Sequence, residues 1–338
     1  MIAQAIYQLI NGKNLDLDTT KAVMDQIMDG KATPAQIGSF LTAMRMKGES
    51  IDEITACAMV MRQRCTKIKP DIDVLDIVGT GGDEANTFNI STISSFVVAA
   101  GGIPVAKHGN RSVSSKCGSA DVLEALGAKI DSSAEKSEEI LKKIGFCFMF
   151  APHYHSSMKY AAPVRKELSI RTIFNILGPL ANPAGATLQL LGVYDENLVE
   201  PLARVLINLG VKRAMVVHGH DGLDEITLTT STTVCEISNG HLNSFFLDPT
   251  QLGFEKCRPE DLTGGNADEN AKIALAILDG EKGPKRDIVL LNSAICLYMK
   301  YNHITLRGCA KLAANIIDSG KAKQKLLEFI ALSNEVKR

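Results

Sequence analysis

The sequence predicts an α/β protein, with a small all-helical domain followed by a larger α/β domain that has a central, mostly parallel sheet. The chain has 338 residues, which is too long for one small core. Helical periodicity fills the first 65 residues, and short β-branched runs alternate with helical stretches from about residue 69 onward. We therefore expect the two domains to span residues 1–68 and 69–338.

Composition excludes several classes of protein. The chain is 45% hydrophobic and 22% charged, as in an ordinary soluble enzyme. Its formal net charge of -1 supplies no global field for nucleic acid or an anionic membrane, so we expect neither as a partner. No apolar stretch approaches the ~20 residues of a membrane span, and the N-terminus does not resemble a signal peptide. Eight cysteines without a C-x-x-C pair predict reduced thiols and a cytoplasmic location.

Capping signals mark the helices of the first domain. Thr33 with Gln36 and Ser50 with Glu53 form two capping boxes, and Gly48 ends the helix between them. Apolar residues recur at helical spacing after each box. These signals predict consecutive packed helices, and they carry no chemistry of their own.

The second domain is predicted from alternating strands and helices. The strand candidates are VLDIVGT, GIPVAKH, FCFMFAP, LQLLGVY, RAMVVHG and DIVLLNSA. The helix candidates are STISSFVVAAGG, SADVLEALGA, SSAEKSEEILKKIG, ENLVEPLARVLINLG and ENAKIALAILDG. A further helical stretch near 158–185 is expected to rejoin the first domain, which would leave a ligand-binding cleft between the two.

A glycine-rich turn between a strand and a helix is the strongest functional signal. In GTGGDEANTFNIST, glycines at 79, 81 and 82 allow positive φ and let backbone N–H groups approach an anion near a helix N-terminus. Asn89, Ser91 and Thr92 add donors or metal-binding oxygens. The turn lacks both nucleotide fingerprints, G-x-x-x-x-G-K-[ST] and G-x-G-x-x-G. A plain glycine turn with an N-cap is the alternative.

The segment KHGNRSVSSKCGSAD at 107–121 forms a second polar turn. Lys107 offers a point charge and Asn110 an amide, while Ser114, Ser115 and Ser119 are short enough to bond phosphate oxygens. A solvated basic turn is the alternative. Two such turns about thirty residues apart, on neighbouring strands, favour an anion site at one edge of the sheet.

A third polar loop, HGHDGLDEITL, is acidic. Asp221, Asp224 and Glu225 would repel one another unless a cation lies beside them. Oxygen ligands at the edge of an anion pocket are typical of Mg²⁺, which binds through one or two carboxylates plus substrate phosphates. A surface acidic turn is the alternative. Together the three loops favour a sugar pyrophosphate bridged to the protein by magnesium.

A fourth polar segment, APHYHSSMKYAAPVRKELSIRTIFN, is expected on the opposite wall of the cleft. Arg165 and Arg171 are candidates for a carboxylate clamp, because guanidinium binds carboxylate through two parallel hydrogen bonds. Surface helix arginines are the alternative. His108, His153 and His155 titrate near neutrality, but their spacing assigns none of them as a base or ligand.

Four motifs in this order resemble the anthranilate phosphoribosyltransferases of tryptophan biosynthesis: GTGGD with NIST, KHGNR-x-x-SS-x-x-GSAD-x-LEALG, RTIFN-x-LGPL-x-NP and DGLDE. The likeness spans nearly the whole chain, with one departure at HSSMK, where the family has proline after the histidine. It implies a fold shared with pyrimidine nucleoside phosphorylases. It also implies transfer of the phosphoribosyl group from 5-phosphoribosyl 1-pyrophosphate (PRPP) to the amine of anthranilate, giving N-(5-phosphoribosyl)anthranilate and pyrophosphate.

The resemblance implies three sets of ligand-binding residues. The PRPP set is Gly79, Gly82, Asp83, Thr87, Asn89, Ile90, Ser91, Thr92, Lys107, His108, Gly109, Asn110, Arg111, Ser112, Val113, Ser114, Ser115 and Ser119. The anthranilate set is Gly79, His108, Asn110 and Arg165, and the set for Mg²⁺, expected as two ions, is Ser91, Asp224 and Glu225. No nucleophile is implied, and Lys107, Asp224 and Glu225 would act electrostatically.

The resemblance further implies a homodimer joined through the helical domain, and a functional association with anthranilate synthase. Two alternatives stay open. A pyrimidine nucleoside phosphorylase would need one phosphate rather than magnesium pyrophosphate, so the DGLDE loop counts against it. A nucleic-acid-binding relative would lose the glycine-rich turn and gain basic patches.

Overall fold

The computed structural model describes residues 1–112, 116–301 and 303–335. Within these ranges the chain forms fifteen α-helices and seven strands. The helices are α1 (Ile2–Ile10), α2 (Leu17–Met28), α3 (Pro34–Lys47), α4 (Ile51–Arg64), α5 (Ile90–Ala100), α6 (Ser119–Ala125), α7 (Ala134–Ile144), α8 (Ala151–Tyr154), α9 (Ala162–Leu168), α10 (Phe174–Leu180), α11 (Val199–Asn208), α12 (Ala267–Leu278), α13 (Pro284–Lys300), α14 (Leu306–Asp318) and α15 (Lys321–Asn334). The strands are β1 (Leu75–Gly79), β2 (Val105–Gly109), β3 (Phe146–Phe150), β4 (Leu188–Gly192), β5 (Arg213–Gly219), β6 (Thr232–Ser238) and β7 (His241–Leu247).

In the helical domain, the capping residues mark helix starts at the points where the helical spacing of apolar residues begins. Both predicted capping boxes are present: Thr33 with Gln36 begins α3, and Ser50 with Glu53 begins α4. Helix α1 packs on α3, and α2 packs on α4. Later in the chain, α9 packs on α3 and α10 packs on α4. The segment that carries α9 and α10 therefore lies between the helical domain and the sheet.

The sheet has the strand order β3-β2-β1-β4-β5-β6-β7. The strands from β3 to β5 are parallel, and β6 and β7 are antiparallel. From β1 the chain proceeds to β2 on one side and later reaches β4 on the other. The adjacent strands β1 and β4, with Gly79 opposite Gly192, therefore form a topological switch point. Ligands of open α/β sheets bind in the crevice at such a point.

Five of the six predicted strands are confirmed as β1 to β5, and the sixth is wrong. The run DIVLLNSA lies inside α13, which begins with Pro284 at its first turn. This helix is buried on nearly every face. The continuous apolar part of this run, residues 288–291, is too short for its periodicity to distinguish a buried helix from a buried strand.

The hairpin of β6 and β7 was not predicted. Its two strands alternate buried and more exposed residues, and they are joined at Asn239 and Gly240, with φ of 52° and 78°. An Asn-Gly pair between alternating strands is a strong signal for a two-residue hairpin. The sequence therefore marks this hairpin locally, by the Asn239-Gly240 pair.

Candidate active site

Four parallel strands, β1, β2, β4 and β5, end in glycine at the same edge of the sheet. At Gly79 and Gly192 the missing side chain makes room for Asp224. A Cβ on Gly79 would lie 2.2 Å from Asp224 Oδ2, and one on Gly192 would lie 1.6 Å from the Asp224 carbonyl oxygen. The acidic loop (residues 220–231) therefore lies directly over the ends of β1 and β4, at the switch point.

The acidic loop is hydrogen-bonded to the glycine turn (residues 79–89) and to the helix that follows it. The Gly81 N–H donates to Asp224 Oδ2 at 2.7 Å. At the first turn of α5, the Ser91 hydroxyl and N–H donate to Glu225 Oε1 at 2.5 and 3.2 Å. The structure thus brings together the glycine turn, the α5 N-terminus and the two carboxylates, all of which were predicted site residues.

The carboxylates of Asp83, Asp224 and Glu225 lie close together in this crevice. Burial, followed by the charges of Asp83 and Glu225, raises the pKa of Asp224 well above its usual range. Burial raises the pKa of Glu225 to about 7, although its bond from Ser91 and the charge of Lys107 oppose the shift. Carboxylates that repel one another in a buried site are stabilised by a cation, and their hard oxygens fit Mg²⁺.

Protein ligands alone do not complete a cation site here. In the part of the chain that the structure describes, no group of three or more His, Cys, Asp or Glu side chains is placed to hold a metal ion. This arrangement fits an ion that binds through one or two carboxylates and takes its other ligands from a bound phosphate. Asp221 instead stabilises the acidic loop, because its carboxylate accepts hydrogen bonds from the hydroxyls of Thr227, at 2.6 Å, and Thr229.

The glycine turn adopts an unusual backbone. Its φ is positive at Gly81 and Gly82, and also at Glu84 (58°) and Asn86 (52°). Non-glycine residues adopt such angles rarely, and usually where the surroundings enforce them. At its far end the turn is held by the Gly264 N–H, which donates to the Asn86 carbonyl at 2.9 Å, beside a β-bridge between Thr87 and Thr263. Asp83 and Thr87 are half-buried along the turn.

Asn89 joins the glycine turn to the second polar turn. Its Nδ2 donates to the Cys117 carbonyl at 3.0 Å, and its Oδ1 accepts from Asn270 Nδ2 at 3.0 Å. Asn270 was not predicted as a site residue. Ile90 and Thr92, in the first turn of α5, are buried, and their N–H groups donate to the carbonyls of Phe88 at 2.8 Å and Asn89 at 3.1 Å.

In the second polar turn, Val113, Ser114 and Ser115 lie outside the described residues. Ser119 Oγ donates to the Asn110 carbonyl at 3.2 Å. The exposed Asn110 side chain accepts from the N–H of its neighbour Arg111 at 2.8 Å.

Arg111 and Ser112, both predicted PRPP residues, are bonded to α6. The Arg111 guanidinium donates to Asp121 at 2.8 Å and to Glu124 at 2.5 Å. The N–H groups of Ser112 and Gly118 donate to Asp121 Oδ2 at 3.1 and 2.8 Å. The charge of Arg111 is thus balanced by α6, and an anion would have to compete with these carboxylates for it.

Lys107 is a buried cation beneath the crevice. Its Nζ donates to the Ile77 carbonyl at 2.5 Å. Burial lowers its pKa, while the charges of Asp76 and Glu225 act in the opposite direction. Lys107 is therefore close enough to interact electrostatically with Glu225 in the acidic loop and with the buried Asp76 on β1.

His108 and His155 are buried neighbours whose ring centroids are 5.0 Å apart. His108 Nδ1 donates to the Gly178 carbonyl at 3.2 Å, which leaves its Nε2 as an acceptor. Burial lowers the pKa of His108 to about 3 and that of His155 to about 4, so both rings are neutral at pH 7. Among the described residues neither Nε2 atom has a hydrogen-bond partner. A ligand donor would satisfy them.

A buried polar cluster beneath the site, formed by Asp76 and Asn182, was not predicted from the sequence. Asp76 on β1 accepts from the His108 N–H at 3.3 Å and from Asn182 Nδ2 at 2.7 Å. Asn182 Nδ2 also donates to the Ala106 carbonyl at 2.9 Å. The Asp76–Asn182 cluster joins β1, β2 and the chain after α10, so it helps to position Lys107 and His108 on β2.

Asp76 leads to a pH-dependent prediction. Burial raises the pKa of its carboxyl to about 6, from a usual value of 3.8. Between these pH values the folded protein binds the proton more tightly than the unfolded chain does, so stability falls as pH rises through the interval. We expect the free energy of unfolding of the wild type, relative to Asp76→Asn, to fall by ~2 kcal/mol between pH 4 and pH 6. Urea denaturation at several pH values measures it; a difference that is constant with pH would contradict the assignment.

The two predicted arginines occupy different places. Arg165 is half-buried with its guanidinium carbon 5.1 Å from the centroid of the Phe174 ring, and burial lowers its pKa. Within the described ranges it forms no ion pair with a carboxylate, and no charged neighbour contributes to its pKa shift, so it is available to a ligand carboxylate. Arg171 instead donates to the Gly82 carbonyl and lies over the Tyr194 ring, so the expected clamp of two arginines does not form.

A separate cavity of about 460 Å³ lies near the start of α4, away from the crevice. Its lining residues are Asn14, Leu15, Ser50, Ile51, Asp52, Arg204 and Asn208. Arg204, the cation in that lining, is already paired with Glu200 at 2.6 Å. This cavity lacks the convergent carboxylates and backbone donors of the crevice.

Known proteins are similar to this chain over nearly its whole length. Residues 3–65 match the model of the glycosyl transferase family, helical bundle domain, and residues 71–323 match that of the glycosyl transferase family, a/b domain. The anthranilate phosphoribosyltransferase of Ruminiclostridium cellulolyticum is 75% identical over 334 residues, which cover 99% of this chain and 98% of the relative.

Solved structures agree with the sequence matches. The anthranilate phosphoribosyltransferase of Thermus thermophilus superposes with a TM-score of 0.93 at 39% identity, covering 98% of this chain and 99% of its own. The corresponding enzyme of Saccharomyces cerevisiae, solved in complex with PRPP and Mg, gives a TM-score of 0.92 at 27% identity. That match covers 99% of this chain and 98% of the yeast chain.

Proposed function

Since the chain belongs to the anthranilate phosphoribosyltransferase family, we propose that it transfers the phosphoribosyl group of PRPP to the amine of anthranilate, releasing pyrophosphate. The observation that carries this is the switch-point crevice. There the glycine turn and the α5 N-terminus meet Asp224 and Glu225 through direct hydrogen bonds. Backbone donors for phosphate and carboxylates for a cation are both needed to hold a magnesium pyrophosphate.

The donor end of the site is built by the acidic loop and the glycine turn. Ser91, Asp224 and Glu225 would hold Mg²⁺, which we propose as two ions because PRPP carries several phosphate oxygens. When bound, the cation neutralises charge on the diphosphate. The yeast relative was solved with both PRPP and Mg. Asn89, Thr92 and the backbone of Gly82 would orient the phosphates.

Lys107 would stabilise the charge that develops on the departing pyrophosphate. A preorganised cation in a buried site needs little reorganisation during the reaction, which is the basis of electrostatic catalysis. We propose direct displacement at C1 of the ribose: the neutral amine forms the new C–N bond as the bond to pyrophosphate breaks.

The acceptor end is built by Arg165, His108, Asn110 and the backbone of Gly79. The Arg165 guanidinium would bind the carboxylate of anthranilate through two parallel hydrogen bonds. The aromatic amine is neutral at pH 7 and needs no strong base. His108 Nε2, an acceptor without a partner among the described residues, would receive a hydrogen bond from that amine and orient it.

A component-omission assay tests the proposed reaction. Purified protein is mixed with anthranilate, PRPP and Mg²⁺, and the loss of anthranilate fluorescence is followed. We expect a decay that requires all three components, and no phosphorolysis of pyrimidine nucleosides with inorganic phosphate. A folded protein that consumes nucleoside and leaves anthranilate unchanged would contradict the proposal and support the nucleoside phosphorylase alternative.

A second copy of the chain is the proposed partner of the helical domain. Helix α1 exposes Tyr7 and Ile10 (68% and 66% accessible), and α3, which packs on α1, exposes Met46 (83%). Large apolar side chains that are exposed on two packed helices are typical of an interface between subunits. We propose that this surface forms a homodimer.

The dimer is tested by adding a charge to that surface. We expect Ile10→Lys to shift the sedimentation coefficient from that of a dimer to that of a monomer, because burying a lysine at the interface is costly. Phe246→Lys is the matched control, since Phe246 is equally exposed (67%) but lies on the edge strand β7. A wild-type monomer, or equal dissociation of both variants, would refute this interface.

We also propose a cytoplasmic location and a functional association with anthranilate synthase, which makes the acceptor. All eight cysteines carry free thiols, which suits a reducing compartment. Across the described ranges the structure contains no helix that is both long enough and apolar enough to cross a membrane.

A further inference from the structure

Arg171 connects two parts of the molecule that bind different substrates in the proposed function. It lies in the turn between α9 and α10, and its Nη2 donates to the Gly82 carbonyl in the glycine turn. Its guanidinium carbon lies 4.4 Å from the centroid of the Tyr194 ring. The carboxylate of Glu84 is 3.7 Å from Nη2.

The contacts of Arg171 lie in two structural units, the glycine turn and the end of β4, and Arg171 itself lies in a third. We call α9, α10 and the turn between them the acceptor wall; its helix α9 packs on the helical domain and carries Arg165. Tyr194 follows β4, and its N–H donates to Thr80 Oγ1 at 3.1 Å. Thr80 N–H in turn donates to the Gly192 carbonyl at 2.9 Å. Arg171 therefore links the acceptor wall, the end of β4 and the glycine turn.

The glycine turn needs such support in its middle. Four of its residues have positive φ, two of them the non-glycine residues Glu84 and Asn86. One flank is held by Asp224 at Gly81, and the other by Gly264 at Asn86. Between these points, Arg171 contacts the carbonyl of Gly82. A guanidinium that is stacked on an aromatic ring is well oriented to hold a carbonyl group.

We propose that Arg171 is a positioning residue for the donor: it holds the glycine turn in the conformation that binds the pyrophosphate of PRPP, while Arg165 binds the acceptor. This inference rests on the proposed function and deepens it. Since Arg171 is anchored in the acceptor wall, a shift of that wall would be transmitted to the pyrophosphate-binding backbone. The stack on Tyr194 keeps the guanidinium in the required plane.

The test compares Arg171→Gln with Arg165→Gln in steady-state kinetics with both substrates varied. We expect Arg171→Gln to raise the KM for PRPP on the order of tenfold, the value of a lost charge-assisted hydrogen bond, with the KM for anthranilate within about twofold of wild type. Arg165→Gln should show the reverse pattern. Calorimetric titration of each variant with PRPP and Mg²⁺ gives the donor affinity independently of turnover.

Variants of the stacking partner separate positioning from a general structural role. Tyr194→Phe keeps the ring and should keep the wild-type KM for PRPP, whereas Tyr194→Leu should raise it in the same direction as Arg171→Gln. Thermal melts confirm that each variant is folded. A merely structural role would lower the Tm and change both KM values together.

Two outcomes would overturn the inference. One is an unchanged KM and affinity for PRPP in Arg171→Gln, and the other is a rise confined to the KM for anthranilate, which would make Arg171 a ligand of the acceptor. Failure of the proposed function itself looks different, because the wild-type protein would then show no decay with anthranilate, PRPP and Mg²⁺.

Discussion

We expect Asp224→Asn to lose at least ~100-fold in kcat/KM for PRPP while the protein folds normally. The asparagine side chain keeps an acceptor for the Gly81 N–H but removes a negative charge from the proposed cation site. Because Asp224 is buried beside Asp83 and Glu225, removal of its charge also relieves repulsion. The variant should therefore be at least as stable as wild type in a thermal melt without Mg²⁺.

The matched control for this prediction is Asp221→Asn in the same loop. Asp221 accepts bonds from Thr227 and Thr229, so its change should lower the Tm. It should leave the half-saturating Mg²⁺ concentration unchanged, whereas Asp224→Asn should raise it. Wild-type kinetics of Asp224→Asn at limiting Mg²⁺ would refute the role of this carboxylate.

Gly192→Ala is expected to have the largest effect on stability. The added Cβ would lie 1.6 Å from the carbonyl oxygen of Asp224, and a backbone atom cannot rotate away as a flexible side chain can. We expect the free energy of unfolding to fall by ~3 kcal/mol or more, at the upper end of overpacking costs. Urea denaturation measures the loss, and turnover should fall with it because the acidic loop is displaced.

Gly38→Ala is the control for added volume. A Cβ on Gly38 would lie 3.6 Å from Val164 Cγ1, an ordinary packing distance, and the residue lies inside α3, where alanine is favoured over glycine. Its stability should equal or exceed that of wild type. A Gly192→Ala variant as stable as this control would mean that the acidic loop does not lie over the end of β4.

Much of the fold is predictable because its local signals are strong. The buried strands β1 to β5 carry short apolar runs, four of which end in glycine, and the capping boxes of α3 and α4 mark the starts of these helices. Prediction failed at α13, which is buried on nearly all sides and so lost the polar face that identifies a helix. The hairpin of β6 and β7 was also not predicted, although the Asn239-Gly240 pair is a local signal for it.

The site is predictable only in part, for a related reason. The glycine turn and the acidic loop follow strands, and their residue types are unusual, so the sequence marks them as binding loops. The hydrogen bond between Asp76 and Asn182 joins residues 106 positions apart, and no local sequence pattern predicts it. The same holds for Arg171, which meets the Gly82 carbonyl from 89 positions away. Contacts of this kind depend on the packing of the acceptor wall against the sheet.

A crystal structure of the protein with PRPP and Mg²⁺ tests the central claim most directly. We expect the pyrophosphate between the glycine turn and the acidic loop, with Mg²⁺ bound by Asp224 or Glu225 and the guanidinium of Arg171 still on the Gly82 carbonyl. Pyrophosphate bound elsewhere, or bound at the crevice with no cation on either carboxylate, would contradict the account.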